Sequence, residues 1–251
     1  MSYARSRRPA GWVAVSSVVV ALILVLLAIG TASATPVVVK KPPFTGGALY
    51  SHVQLKHTFG CNSIAHDPIP GSFNVTTGVA RVYSKVTAQV CSRASGGATF
   101  VGYLGVTGID FRVSTSGRYN VSAFWGVLAG VNISISYHGT KTSSLSGYVQ
   151  LIPTLCILDM TAGNGSCKSA HPFGTVSSTT GMSTNISSSF AEILPGWYLA
   201  SGDAYEFKTY VGYSLIADAA TPAGVGSSVS VTLDMHSRGY GASLESVTVV
   251  R

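Results

Sequence analysis

The sequence predicts an all-β fold: an antiparallel β-sandwich in the style of a jelly roll or an Ig-like domain, preceded by an N-terminal apolar signal or anchor helix. Apolar and polar residues alternate with a period of two in many segments of the 251-residue chain, as in strands with one buried face. Turns rich in Gly, Ser and Asn separate these segments. No segment after residue 35 shows a convincing helical period. Together these features are typical of antiparallel sheets packed face to face.

The first 34 residues have the three parts of a secretory signal peptide. Three arginines in the first eight residues precede the uncharged stretch 12–29, and small residues at 32–34 end where a signal peptidase would cut before Thr35. An uncut anchor is the alternative, because 18 apolar helical residues span about 27 Å. A third interpretation is a twin-arginine signal starting at residues 6–8. Under all three, residues 35–251 are exported, and the leader contacts the membrane transiently or as an anchor.

Two further features favour an exported protein. Five of the six asparagines begin Asn-x-Ser/Thr sequons, which mark N-glycosylation sites in exported domains. A Ser/Thr-rich composition without sugars is the alternative. The predicted glycosylation sites are Asn74, Asn120, Asn132, Asn164 and Asn185.

All four cysteines lie in the predicted exported part, and their even number predicts two disulfides. Of the three connectivities, we favour Cys61 with Cys91 and Cys156 with Cys167. Residues 157–166 between the second pair have turn-forming glycines at their centre. A hairpin there would bring the two thiols face to face.

The charge balance does not favour a nucleic-acid partner. The net charge of +7 includes the three arginines of the leader, so the remaining chain carries only +4. Nucleic-acid binding requires Lys and Arg clustered on one face, and the sequence has no such cluster. Only 10% of residues are charged, so glycans would add solubility.

The predicted organisation is a Pro/Gly linker at 35–47 followed by one extracellular β-sandwich domain at 48–251. The linker is bracketed by paired prolines and paired glycines. The clearest alternation predicts strands at residues 82–90, 109–113, 119–125, 132–137, 205–213, 229–235 and 247–249. No internal repeat is evident.

A histidine-rich segment is the first candidate for chemistry. His52, His57, Cys61 and His66 lie close in sequence, and the spacing from Cys61 to His66 matches part of a blue-copper ligand set. That set also requires a distant upstream His and, usually, a following Met. His52 and His57 have opposite strand parity, so they cannot easily share one ion. We therefore predict no metal site and no cofactor.

Carboxylates are the second candidate, because jelly-roll glycoside hydrolases use two Asp or Glu side chains on one face. Glu206 has outward strand parity, and Glu192 could lie on a neighbouring strand after the turn at 194–196. Asp110 and Asp234 are similar strand acids. The simpler interpretation is a solvated Glu206 beside Lys208.

Aromatic residues give the best indication of a binding site. Residues 197–213 contain six aromatic side chains. Parity predicts that Tyr205, Phe207 and Tyr213 face the core. Trp197, Tyr198 and Tyr210 are the candidates for stacking on a ligand.

The motifs of common nucleophilic hydrolases, zinc proteases and nucleotide-binding loops are missing. The sequence therefore favours a non-enzymatic protein, secreted or at the cell surface, with a structural, adhesive or ligand-binding role that includes glycan or cell-envelope partners. The alternative is a secreted jelly-roll glycoside hydrolase using Glu206 and Glu192.

Overall fold

A computed structural model describes residues 36–60, 63–91, 94–139, 144–169 and 172–251. The predicted signal or anchor segment, residues 1–34, lies outside these ranges. In the described part of the chain, no helix has the length and apolar character needed to cross a bilayer.

The described residues form strands joined by turns, with a short 3₁₀ turn at Thr221–Ala223 and no α-helix. The strands are β1 Pro36–Lys40, β2 Gly47–Phe59, β3 Ile64–Asn74, β4 Val79–Gln89, β5 Gly96–Phe111, β6 Gly117–Ser136, β7 Leu145–Asp159, β8 Asn164–Ser169, β9 Phe173–Ser178, β10 Met182–Leu199, β11 Tyr205–Ala219, β12 Ser228–Asp234 and β13 Gly241–Val250.

The strands form two antiparallel sheets. In the seven-stranded sheet the order is β1-β13-β4-β12-β6-β10, with β3 beside β4 and β13 also paired to β6. In the six-stranded sheet the order is β2-β5-β11-β7-β8, with β9 also paired to β7. The predicted all-β antiparallel sandwich is confirmed.

Strand β6 joins two segments that the sequence predicts as separate strands, 119–125 and 132–137. It runs without a break for 20 residues. Its first half pairs with β13 and its second half with β12, so two shorter strands lie end to end along one side of it. The other side pairs with β10 over almost the whole length.

The predicted linker at 35–47 is not a free connection. Residues 36–40 form β1, which pairs with the C-terminal strand β13, with Val38 opposite Val249 and Lys40 opposite Val247. A run of three valines has high β-propensity, and the unpaired edge of β13 offers hydrogen-bonding groups to it. Only the residues between β1 and β2 remain as a connection.

The core lies between the sheets and contains the inward side chains of both. The predicted core residues Tyr205, Phe207 and Tyr213 are all buried, so the parity prediction for β11 is confirmed. Phe111 stacks on Phe207 with ring centroids 4.1 Å apart.

A buried chain of hydrogen bonds connects the sheets through the core. The indole Nε1 of Trp125, on β6, donates to Thr209 Oγ1 on β11 at 3.1 Å. Thr209 Oγ1 donates in turn to the carbonyl oxygen of Thr154 on β7 at 2.9 Å. Since all three residues are buried, these two hydrogen bonds hold the sheets in one position relative to each other.

A second polar contact between the sheets is centred on Asp67 in β3. Ser84 Oγ donates to one carboxylate oxygen of Asp67, and Tyr213 Oη donates to the other at 3.1 Å. Ser84 lies on β4 in the same sheet, whereas Tyr213 lies on β11 in the opposite sheet. The first acidic residue of the chain therefore has a structural role.

Cys156 and Cys167 form a disulfide across β7 and β8, where they stand directly opposite each other. The turn between them is held by Asp159, whose Oδ1 accepts hydrogen bonds from two backbone N–H groups. This confirms the predicted hairpin and its bridge. Cys91 is also disulfide-bonded, and Cys61, its predicted partner, lies outside the described residues.

Candidate functional site

The outer face of the six-stranded sheet has two neighbouring tyrosines. Tyr103 on β5 and Tyr210 on β11 both point away from the core, and their ring centroids are 5.0 Å apart. The register explains the contact. Tyr210 stands directly opposite Gly105, and Tyr103 stands directly opposite Gly212. The two tyrosines are therefore diagonal neighbours, and within this strand pair neither has a side chain directly opposite it. We call this surface, around Tyr103, Tyr210 and Gly212, the tyrosine face.

Gly212 is the floor of a notch beside the two rings. A Cβ added at this position would lie 3.2 Å from the carbonyl oxygen of Ile152, so the absence of a side chain leaves the backbone at the surface. The notch has a volume of about 170 Å³. Its walls consist of the two tyrosines together with Val101, Ile152, Thr154, Ser169, Tyr213 and Ser214.

The polar groups of the notch are mainly hydroxyls. Thr154 Oγ1 and Ser169 Oγ share a hydrogen bond of 2.8 Å at one wall. One cation is close by, because Lys208 Nζ lies 6.0 Å from the centroid of the Tyr210 ring. Aromatic rings with nearby hydroxyls can stack on a ligand face and hydrogen-bond its edge.

Next to the tyrosine face, Glu206 holds a bulge in β5. Its Oε1 accepts hydrogen bonds from Thr107 Oγ1 at 2.7 Å and from the Gly108 N–H at 2.8 Å. Gly108 has a φ of 78°, a left-handed conformation that glycine adopts at little cost, and the register between β5 and β11 shifts here. Glu206 therefore has a structural task in the sheet.

The structure does not bring the three predicted stacking residues together. Trp197 is half-buried and packs against the core. Its neighbour Tyr198 is 61% exposed at the end of β10, in the seven-stranded sheet, whereas Tyr210 belongs to the six-stranded sheet. Sequence analysis missed Tyr103, the actual neighbour of Tyr210. The sequence feature that could have identified Tyr103 as outward is the alternation of residues 100–106, upstream of the predicted strand 109–113.

The predicted carboxylate pair is wrong, because Glu192 and Glu206 lie in different sheets. Glu192 is on β10 with only 3% of its surface exposed, and it points between the sheets. Lys168 Nζ, on β8 of the opposite sheet, lies 3.8 Å from Glu192 Oε1. The alternation of buried and exposed residues along 182–199 directs the side chain of residue 192 inward. The strand order places β10 beside β6, in the sheet that does not contain Glu206. The sequence does not reveal that order.

The two other strand acids have different surroundings. Asp110 is exposed and stands directly opposite Glu206. Asp234 ends β12 and accepts hydrogen bonds from the backbone N–H groups of His236 and Ser237 and from the Ser237 hydroxyl. Partial burial alone would raise the pKa of Asp234, but these hydrogen bonds and the nearby His236 lower it below its usual value. Asp234 is thus a turn-stabilising residue.

Of the histidine-rich segment, the structure describes His66 in full. It is exposed on β3, opposite Lys85. The side chains of His52 and His57 and all of Cys61 lie outside the described part. Within the described residues, no three His, Cys, Asp or Glu side chains lie close enough to hold a metal ion.

All five sequon asparagines have exposed side chains, as a glycan requires. Asn74 ends β3 and Asn164 begins β8, so each lies beside a turn. Asn74 Oδ1 accepts hydrogen bonds from two backbone N–H groups of its turn. Asn120 and Asn132 are on β6, and Asn185 is on β10. These last three side chains share the outer face of the seven-stranded sheet.

The molecule is thus an antiparallel β-sandwich with a notch and two tyrosines on one outer face. No family model and no curated protein matches its sequence. Among solved structures, it is similar to the CBM22-1–GH10 modules of the endo-1,4-beta-D-xylanase 10B of Clostridium thermocellum, complexed with xylohexaose. The identity is 13% and the TM-score 0.16, over 86% of this chain and 28% of that chain.

Two structures of infectious bursal disease virus are similarly distant. The Gt strain matches at 13% identity and a TM-score of 0.19, over 78% of this chain and 45% of that chain. The Gx strain matches at 11% and 0.17, over 79% and 47%. This chain spans less than half the length of each of the three. At TM-scores this low, the likenesses identify neither a fold family nor a function.

Proposed function

We propose that this chain is an exported protein, secreted or held at the cell surface by its leader, that binds a saccharide chain through the tyrosine face. Export is supported by the signal-like leader, the five sequons and the disulfide, because disulfides persist in oxidising compartments. The observation that carries the binding proposal is the Tyr103–Tyr210 pair, 5.0 Å between ring centroids, beside the notch at Gly212.

The chemistry of this surface suits a neutral, extended ligand. The faces of tyrosine rings can contact the C–H face of a sugar ring, while Ser214 and Ser169 can exchange hydrogen bonds with sugar hydroxyls. The notch, about 170 Å³, is smaller than the roughly 300–1,000 Å³ of a typical small-molecule pocket. A saccharide would therefore lie across the strands with one ring in the notch.

The test is binding of the full-length protein to a panel of hexasaccharides: β-1,4-linked glucose, xylose and N-acetylglucosamine, and α-1,4-linked glucose. For the hexasaccharide that binds best, Tyr103→Ala and Tyr210→Ala should each weaken affinity about tenfold or more, since one lost aromatic contact is worth about 0.5–1.5 kcal/mol beyond its buried area. Isothermal titration calorimetry measures the loss.

Tyr198→Ala is the matched control, because it removes an exposed tyrosine from the other sheet and should leave affinity unchanged. Equal melting temperatures for the three variants would show that folding is intact. Loss of binding in the Tyr198 variant with retention in the Tyr210 variant would refute the assignment to the tyrosine face. Failure of every hexasaccharide to bind would refute saccharide binding.

A glycoside hydrolase is the second candidate, and the register supplies its one supporting observation. Asp110 lies directly opposite Glu206 on the outer face, and a retaining enzyme needs two carboxylates about 5–5.5 Å apart. Against it, Glu206 Oε1 is bonded to the β5 bulge. Release of reducing ends by the wild type and its loss in Asp110→Asn would support hydrolysis, whereas equal blank-level signals would exclude it for that substrate.

A further inference from the structure

We propose that N-linked glycans at Asn120, Asn132 and Asn185 cover an apolar strip on the outer face of the seven-stranded sheet and leave the tyrosine face as the bare side of the sandwich. The strip comprises Phe124 and Leu128 on β6, each 37% exposed, and Ile193 on β10, 42% exposed. These side chains have no polar end. Phe124 and Ile193 are diagonal neighbours across the β6–β10 pair. Leu128 lies four residues further along β6, beyond Gly126, and the Glu245 carboxylate lies over that glycine.

Along β6, the strip lies between two sequons. Asn120, Phe124, Leu128 and Asn132 all have outward parity, at intervals of four residues. Each interval corresponds to about 13 Å in a strand that rises about 3.3 Å per residue. A glycan at either asparagine therefore starts within a few sugar rings of the nearest apolar side chain.

The third sequon lies across the strand pair. Asn185 on β10 stands opposite Gly130 on β6, two residues along from Leu128. Ile193, further along β10, stands opposite Ser122, which lies between Asn120 and Phe124. The three attachment sites thus surround the strip from both ends of β6 and from β10.

The asparagine side chains are held in place by hydrogen bonds. Asn120 Oδ1 accepts from the Gly196 N–H at 3.0 Å, and Asn185 Oδ1 accepts from Tyr240 Oη at 2.9 Å. Asn132 Nδ2 donates to Ser134 Oγ at 3.2 Å. All three bonds are compatible with modification, because a glycosylated amide keeps its oxygen and one N–H.

The reaction needs a lipid-linked oligosaccharide as donor and a transferase, and so the proposal rests on the export of the chain. A bond forms between asparagine Nδ2 and C1 of the first sugar. The bond from C1 to the donor phosphate oxygen breaks, the lipid phosphate leaves with its electron pair, and Nδ2 loses one proton. No oxidant or reductant is required.

The six-stranded sheet, which carries the tyrosine face, has fewer sequons than the seven-stranded sheet. One of the five sequons lies in the six-stranded sheet: Asn164 is the first residue of its edge strand β8, five residues along from Ser169 at the notch. The strands β2, β5, β7, β9 and β11 of that sheet contain no sequon asparagine. A protein partner on the apolar strip would have to approach through three glycans. We therefore assign the strip to the protein's own sugars.

The test compares two sets of sequon variants in a host that N-glycosylates exported proteins. Ser122→Ala, Ser134→Ala and Ser187→Ala together remove the three sheet sequons and keep every asparagine. The matched control, Thr76→Ala with Ser166→Ala, removes the two turn sequons. Glycopeptide mass spectrometry measures occupancy, ANS fluorescence measures exposed apolar surface, and sedimentation measures self-association.

We expect the triple variant to raise ANS fluorescence at least about twofold and to self-associate, and the control to behave like the wild type. Adding Phe124→Ser, Leu128→Ser and Ile193→Ser to the triple variant should reverse both effects. If the triple variant fails to fold, glycosidase treatment of the folded wild type gives the same comparison.

Each contrary result has a distinct meaning. Glycans at Asn74 and Asn164 but not at the three sheet sites would overturn the proposal and leave export standing. Glycans at all sites, with no change when the sheet glycans are removed, would overturn the covering role. Bare asparagines at every site would overturn both this proposal and the proposed export. Saccharide binding by the tyrosine face is measured separately and is decided by the Tyr103 and Tyr210 variants.

Discussion

Replacing Thr209 with valine should show how strongly the buried hydrogen-bond chain connects the two sheets. Valine has nearly the shape of threonine, so the substitution changes hydrogen bonding and leaves no cavity. It leaves the indole N–H of Trp125 without its acceptor, at a site where both residues are at most 1% exposed. It also removes the donor to the Thr154 carbonyl.

The expected cost follows from these two losses. An unsatisfied buried donor costs about 1–3 kcal/mol, and a lost neutral hydrogen bond about 1 kcal/mol. Against these, valine avoids the desolvation of a hydroxyl, which offsets part of the cost. We therefore expect the free energy of unfolding to fall by about 2 kcal/mol and the melting temperature by about 4–8 °C for a chain of this size.

Thermal unfolding followed by circular dichroism, with the disulfides intact, measures the loss. A double-mutant cycle with Trp125→Phe isolates the bond, because the cavity left by the smaller ring cancels in the cycle. The cost of Thr209→Val should drop by at least about 1 kcal/mol in the Trp125→Phe background. Equal costs in both backgrounds would refute the claim that the indole N–H depends on Thr209.

Three further predictions concern the bulge, the β12–β13 turn and the hairpin. Glu206→Gln should lower the free energy of unfolding by about 1–2 kcal/mol, since it weakens two charge-assisted hydrogen bonds; an unchanged denaturant midpoint would contradict this. Because the pKa of Asp234 is lowered in the folded protein, its stabilising effect is present above about pH 4 and is lost as pH falls through the folded value. The stability difference between wild type and Asp234→Asn should therefore vanish in acid, and a difference that persisted at pH 2 would show another cause. Cys156→Ser with Cys167→Ser should lower the free energy of unfolding by about 2–3 kcal/mol, because the bridge restricts the unfolded chain. A clearly smaller loss in chemical denaturation would contradict that restriction.

The inward and outward directions of side chains could be predicted from the sequence where alternation was clear. Tyr205, Phe207 and Tyr213 are buried and Tyr210 is outward because local strand geometry alone sets their direction. The hairpin bridge was predictable for the same reason, since its two cysteines are neighbours in a short, turn-centred segment. Whether the sandwich is of jelly-roll or Ig-like style stays a prediction.

The positions of strands relative to one another could not be predicted. Glu192 and Glu206 are close in sequence, yet one lies on β10 and the other on β11, and the chain passes from one sheet to the other between them. Tyr103 meets Tyr210 only through the register of β5 against β11. Such pairings depend on contacts between residues far apart in the chain, which single-strand patterns do not contain.

The unbroken strand β6 contains two glycines between the segments predicted as separate strands. Gly126 and Gly130 interrupt the alternation, and glycine within a strand pattern weakens a strand assignment. In the structure both positions allow a close approach. A Cβ on Gly126 would lie 3.1 Å from Glu245 Oε1, and one on Gly130 would lie 3.0 Å from a ring carbon of Tyr240. The glycines make room for side chains over the sheet and do not end the strand.

The two outer faces of the sandwich differ in the polarity of their large exposed side chains. Tyrosines on the six-stranded sheet end in hydroxyls, so their rings can stay exposed and still contact a ligand. Phe124, Leu128 and Ile193 on the other sheet have no such group, and all three sheet sequons lie beside them. If glycans cover the outer face of the seven-stranded sheet, only the tyrosine face of the sandwich is accessible to a binding partner. The proposed binding site and the proposed glycans are thus two consequences of how outward residues are distributed between the sheets.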